Sequence, residues 1–297
     1  MNVIQTRLDF FRGESKLAGR LFRNTERLDV RQPAVIVTGS WLTVKEQMAE
    51  LYAIRLAERG YTAFTFDFTG FGESQGEPRQ AEIPGRKVAD LTAAADFVST
   101  LSFVTPRAVS HLAVCASAQY GLAAIARRSR VSRFISVAGW YHDTTTVAPF
   151  YGGLTGVAAR LKTAQSALER YTTSGSLDVV PAYQRGNEAA GMFFEVDYYA
   201  NPRRGAVAAW KNEMAALSWN YWLTFDGLSA ADQVSVPTLM VHSDGCALPD
   251  NAKSVYERLN GPKKLIWAEG AQSDFYDQPA QVALAIDAAD AFLRGAA

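Results

Sequence analysis

The stretch HLAVCASAQYG, residues 111–121, decides how the chain is read. It continues an apolar run, AVSHLAVC (108–115), with the length and character of a buried strand. The residues that follow, AQYGLAAIARRS, read as a helix that begins with almost no linker. A strand turning straight into a helix lifts one side chain to the apex of a tight turn, at the carboxyl edge of the sheet. Two residues compete for that apex, Cys115 and Ser117.

Outward from this turn the same alternation repeats. AVIVT (34–38), YTAFTFD (61–67), RFISVAG (133–139), VPTLMVHS (236–243) and KKLIWAE (263–269) read as strands. Helical stretches separate most of them: VKEQMAELYAIRLAERG with a glycine stop at Gly60, KVADLTAAADFVSTL and NAKSVYERL, with AQVALAIDAADAFL closing the chain. Strands alternating with helices predict an α/β fold, a mostly parallel central sheet with helices on both faces. Residues 2–10 alternate in polarity and, with RGES and KLAGRLF, predict a hairpin that adds antiparallel strands at one edge.

Between 144 and 225 the alternation stops and aromatic residues crowd in. This predicts two units: a core domain of residues 1–143 and 226–297, and a helical, aromatic-rich lid of residues 144–225. Most of its aromatics are expected to pack, with three or four facing a pocket.

Composition excludes several function classes. Lys and Arg number 30, as do Asp and Glu, so no net charge draws the chain to nucleic acid or an anionic membrane. The run Arg127–Arg128–Ser129–Arg130 reads as the solvated end of a helix. No apolar run is long enough to span a bilayer. Two cysteines make no disulfide framework, and MNVIQTRLDFF is no signal peptide, so a cytoplasmic setting is expected.

In a parallel α/β sheet the residues just after each strand face the ligand. After YTAFTFD comes Asp67–Phe68–Thr69–Gly70–Phe71–Gly72–Glu73–Ser74, which resembles the D-x-R-G-x-G-x-S turn of the α/β-hydrolase superfamily, with Thr69 where arginine is usual. The order of elements resembles that fold over nearly the whole chain. The resemblance implies a nucleophile elbow of pattern small–x–nucleophile–x–small, because the helix starts hard against the strand. With Ser117 at the apex, Gln119 would fill a small position. With Cys115 at the apex, Ala113 and Ser117 fill them, so sterics favour Cys115. A helix N-terminus also favours a thiolate.

The resemblance further implies an oxyanion hole made by the N–H of Ala116 and by the Gly39–Ser40–Trp41 loop, through Ser40 or Trp41. It implies an acid at Asp244, with Asp143 as the alternative. The base should lie in AEGAQSDFYDQP, where relatives carry a histidine before D-F-Y-D; here Gln272 and Ser273 stand instead. Of the three histidines, His111 lies within a strand and His242 at a strand end. His142 is the candidate for a substitute base. Tyr141, Trp210, Trp219 and Trp222 are the candidates for binding substrate.

DFTGFGESQGEPR, VCASAQYG, DYYANPRRGAVAAW and DFYDQPAQV resemble a bacterial and fungal branch related to polyketide transferases. That branch implies an acyl thioester or ester, polyketide-derived and apolar, handled through Cys115. The alternatives are a lyase, cyclase or isomerase on the same fold, or a ligand-binding pseudo-hydrolase without catalysis. No cofactor and no metal site are expected. The expected partners are the small apolar or acyl substrate and an acyl carrier that delivers it, with a homodimer as the assembly and neither nucleic acid nor membrane as a partner.

Overall fold

The computed structural model describes residues 2–295. Its strands are β1 (Val3–Arg7), β2 (Phe10–Arg12), β3 (Ser15–Leu17), β4 (Gly19–Asn24), β5 (Gln32–Thr38), β6 (Thr62–Phe66), β7 (Val104–Val114), β8 (Arg133–Val137), β9 (Val179–Val180), β10 (Met214–Ala215), β11 (Thr238–His242) and β12 (Lys263–Trp267). Eight of them form one sheet in the order β1-β4-β6-β5-β7-β8-β11-β12. From β6 to β12 all pairs are parallel, and β1 and β4 add antiparallel strands at one edge. This is the architecture expected, with one difference at the edge. The hairpin partner of β1 is β4, and the turn between them grows its own small ribbon, β2 with β3.

The central strands are apolar because both faces are covered. Every residue of β6 and β11 is buried. Helices α1 (Met48–Glu58), α2 (Pro84–Ser99) and α3 (Ser117–Ala126) connect the strands. Further along come α4 (Gly153–Ser174), α5 (Asp197–Ala200), α6 (Ser218–Trp222), α7 (Pro249–Arg258), α8 (Asp274–Asp277) and α9 (Pro279–Arg294). Helix α1 packs beside α9, and α2 beside α3. Helix α3 lies so close to the sheet that a Cβ added at Gly121 would come within 2.7 Å of Phe134 and 2.8 Å of His111. Only glycine permits that approach.

Segment 144–225 runs between β8 and β11. It is built from α4, α5 and α6 with long irregular stretches, and also holds the two-residue pair β9–β10. Arg127, Arg128 and Arg130 are exposed just past the end of α3. Among the described residues, no helix is long and apolar enough to cross a membrane.

Candidate active site

The turn between β7 and α3 resolves the competition for its apex. Cys115 has φ +59°, the left-handed region that an L-residue enters only when its surroundings hold it there. Its backbone is gripped on both sides. The N–H donates to Val137 O at 3.1 Å, and the C=O accepts from Ala118 N and Trp140 N, each at 3.0 Å. Ser117 instead turns back under the elbow. Its hydroxyl is fully buried and lies 3.0 Å from Thr38 O and 3.1 Å from Val114 O. The small neighbours Ala113 and Ala118 are wholly buried beside the turn.

Cys115 opens onto a cavity of about 120 Å³. Trp140, Phe150, Tyr151 and Phe194 supply much of its wall. Around the sulfur stand four polar side chains: Ser40, Gln272, Tyr276 and Tyr199. Ser40 Oγ donates to Cys115 Sγ at 3.1 Å. Burial pushes the thiol's pKa up; the neighbouring polar groups, Ser40 first and then Tyr276, the Ala116 N–H and Gln272, pull the other way without cancelling it. The expectation of a thiolate favoured by the helix terminus is therefore reversed. Desolvation of the charged form outweighs the local donors.

The oxyanion-hole candidates come together here. Ser40 and Trp41 line the cavity with Cys115, and Ala116 N–H lies at the sulfur. Ser40 N–H is directed to Met48 Sδ at 3.5 Å. The Trp41 N–H has no hydrogen-bond acceptor among the described residues.

The acid and base candidates are placed elsewhere. Asp244 has a 77% exposed side chain that pairs with Lys253 at 3.5 Å, and it does not line the cavity. Asp143 folds onto its own turn, accepting from Thr145 N at 3.0 Å and Thr146 N at 2.8 Å. His142 is fully buried with both ring nitrogens engaged, Nδ1 by Trp140 Nε1 at 2.7 Å and Nε2 with Trp222 O at 2.8 Å. Burial lowers its pKa to about 4. His111 is bonded to Thr38 Oγ1 at 2.8 Å, and burial lowers its pKa to about 3. His242 bonds Gly139 O at 3.2 Å and Ser243 O at 3.0 Å. No histidine faces the sulfur, because each is consumed in holding the sheet and its loops.

Gln272 stands at the cavity in the loop where a histidine was expected. It is locked in place: Oε1 accepts from Ala247 N at 2.9 Å, and Nε2 donates to Ala138 O at 2.8 Å and to Tyr276 OH at 3.2 Å. An amide in this position positions the loop but cannot take a proton near neutral pH.

The four substrate-binding candidates do not line the cavity. Tyr141 bonds Ser136 Oγ at 2.6 Å beneath the elbow. Trp222 stacks on Trp41 with centroids 4.2 Å apart, and Trp219 packs edge-on against Tyr151 at 5.0 Å. Trp210 borders an open surface groove of about 620 Å³ that meets the cavity wall at Tyr199 but is not lined by Cys115. Four smaller aromatics of segment 144–225 line the cavity instead: Phe150, Tyr151, Phe194 and Tyr199. Tyr199 and Tyr276 were missed in the sequence; the latter lies in the DFYD stretch that signalled the missing base.

Cys246 is buried and free, its sulfur 3.2 Å from Ser243 Oγ, whose proton goes to Gly270 O at 2.6 Å, and burial pushes its thiol up to about 11. Among the described residues no group of three His, Cys, Asp or Glu side chains could hold a metal ion.

Comparison with known proteins gives the family and the fold. An uncharacterized protein of Pseudomonas aeruginosa is 29% identical over 279 residues, covering 88% of this chain and 73% of its own length. The crystal structure of that hypothetical protein superposes with a TM-score of 0.83 at 24% identity, covering 98% of this chain and 93% of the other. The acyltransferase drtE of Aspergillus calidoustus is 27% identical over 81% of this chain and 79% of its own. The polyketide transferase claH of Penicillium crustosum is 34% identical over a shorter stretch, 38% of each chain. Residues 34–285 match the model of the Alpha/beta hydrolase family, to which this chain belongs.

Proposed function

We propose that the protein transfers acyl groups from thioesters through Cys115. The observation that carries this reading is the left-handed Cys115, its sulfur facing an apolar cavity between Ser40 and the Ala116 N–H. The transferase names of two relatives support it.

The chemistry suits a site without a histidine. Cys115 Sγ adds to the thioester carbonyl carbon, and the oxyanion is held by the N–H groups of Ala116 and Trp41. The carbon–sulfur bond to the donor then breaks, and the proton lost by Cys115 ends on the departing thiol. This exchange is proton-neutral overall and needs no resident base. An acceptor amine, nucleophilic without a base, then attacks the acyl-Cys115 thioester, and its proton returns to the sulfur. Water is a poor acceptor here, because nothing beside the sulfur can deprotonate it. A cavity of about 120 Å³ suits a short acyl chain. Segment 144–225 would act as the lid over it.

The test is thiol release from butanoyl-N-acetylcysteamine. One equivalent of thiol per protein should appear in a burst, followed by slow release that an added amine accelerates. Steady release of free acid, indifferent to the amine, contradicts transfer.

The upward-shifted thiol and the fully engaged histidines favour a second reading, a pocket that binds an apolar ligand without turnover. Saturable binding with no thiol release would establish it.

A further inference from the structure

The turn that carries the Trp41 N–H is strained, and two buried side chains from distant parts of the chain hold it. Leu42 has φ +58°. That conformation is strained for a leucine, and it persists only where neighbours over-determine it. Three successive peptide groups are fixed. Thr43 Oγ1 donates to Ser40 O at 2.5 Å. In a trans peptide the C=O and the following N–H point in opposite directions, so this bond also sets the direction of the Trp41 N–H. The Leu42 N–H donates to Glu82 Oε2 at 3.0 Å. The Leu42 C=O accepts from Trp210 Nε1 at 2.7 Å.

Glu82 is fully buried and joins four elements. Its carboxylate also accepts from Tyr120 OH in α3 at 2.7 Å and from Lys87 Nζ in α2 at 2.7 Å. Its N–H donates to Ser218 Oγ in α6 at 2.9 Å. The carboxylate thus ties the Trp41–Leu42 turn to the helix that follows Cys115. Trp210 ties the same turn to segment 144–225. Neither residue lines the cavity.

We propose that Glu82 and Trp210 are positioning residues for acyl transfer: they clamp the strained Leu42 turn so that the Trp41 N–H is set for the oxyanion that forms at Cys115. Trp210 makes that setting depend on the inserted segment. The proposal rests on the acyl-transfer reading above.

The test separates two reactions of one sulfur. Acylation by butanoyl-N-acetylcysteamine develops an oxyanion; alkylation by iodoacetamide does not. Both rates are measured by intact mass on wild type and Trp210→Phe, which keeps a ring and removes the indole donor. Glu82→Gln is measured with Lys87→Met, so that no buried ammonium is left unpaired. Acylation should fall about tenfold to a hundredfold in each variant, while alkylation stays within about twofold. Equal losses in both reactions, or no loss in either, overturn the positioning role. Wild type that alkylates but never acylates instead sinks the acyl-transfer reading, and the clamp's catalytic role with it.

Discussion

Ser40 Oγ donates to the sulfur of Cys115 at 3.1 Å, reaching from the turn after β5 to the turn after β7. It is the foremost of the hydrogen bonds opposing the upward push of burial on the thiol. Because the thiolate is the reactive form, a raised pKa leaves little of it at neutral pH. Alkylation by iodoacetamide should therefore keep accelerating as pH rises past 9, the thiol's ordinary value. Ser40→Ala should slow it roughly tenfold or more at pH 7, the loss of one hydrogen bond to the charged sulfur. A rate that levels off below pH 9 contradicts this account.

Tyr199 is 3% exposed, and its hydroxyl has no hydrogen-bond partner among the described residues, although Ser40 and Tyr276 lie beside it. An unpaired buried hydroxyl destabilises by about 1–3 kcal/mol. Tyr199→Phe should keep or raise the melting temperature while raising KM for acyl thioesters whose oxygens the hydroxyl would meet. A fall of several degrees would show that the hydroxyl is already paired.

The buried histidines make stability fall with acid. His142 titrates near 4 in the folded protein against an ordinary value of 6.5. The unfolded chain therefore binds the proton first. The stability this group contributes is fully present above pH 6.5 and is lost as pH falls towards 4, a total of about 3 kcal/mol. His111, held still lower by burial, adds to the same slope. The urea midpoint should drop between pH 7 and 5. A flat midpoint over that range would show that these rings are accessible to protons.

Phe194 lines the cavity and is only partly buried. Wild type should acylate faster with butanoyl than with octanoyl thioesters. Phe194→Ala should shift the preference towards longer chains, by about 0.8 kcal/mol for each methylene it newly buries. An unchanged chain-length profile would place the acyl chain elsewhere.

The sheet was readable because its strands are apolar runs cut by glycine stops and amphipathic helices, and such patterns have few alternative folds. The Cys115 apex was readable for a steric reason: Gln119 is too large for the place that Ser117 occupies. The polar surroundings of the sulfur were not readable. Tyr199 and Tyr276 reach it from α5 and α8, some 80 and 160 residues further along the chain, and no local period marks such an approach. The tryptophans misled because the largest rings are the best fillers between layers. Trp222 stacks on Trp41 and leaves the cavity wall to Phe150 and Phe194. Asp244 follows its strand as expected, yet its carboxylate turns outward to Lys253. Position in the chain fixed the loop and not the direction of the side chain.

The central claim is a covalent acyl group on Cys115. It is tested most directly by intact mass after incubation with butanoyl-N-acetylcysteamine, for wild type and for Cys115→Ala. The account predicts a gain of one butanoyl group on wild type and none on the variant. A gain that survives in Cys115→Ala, or no gain in either protein, contradicts it.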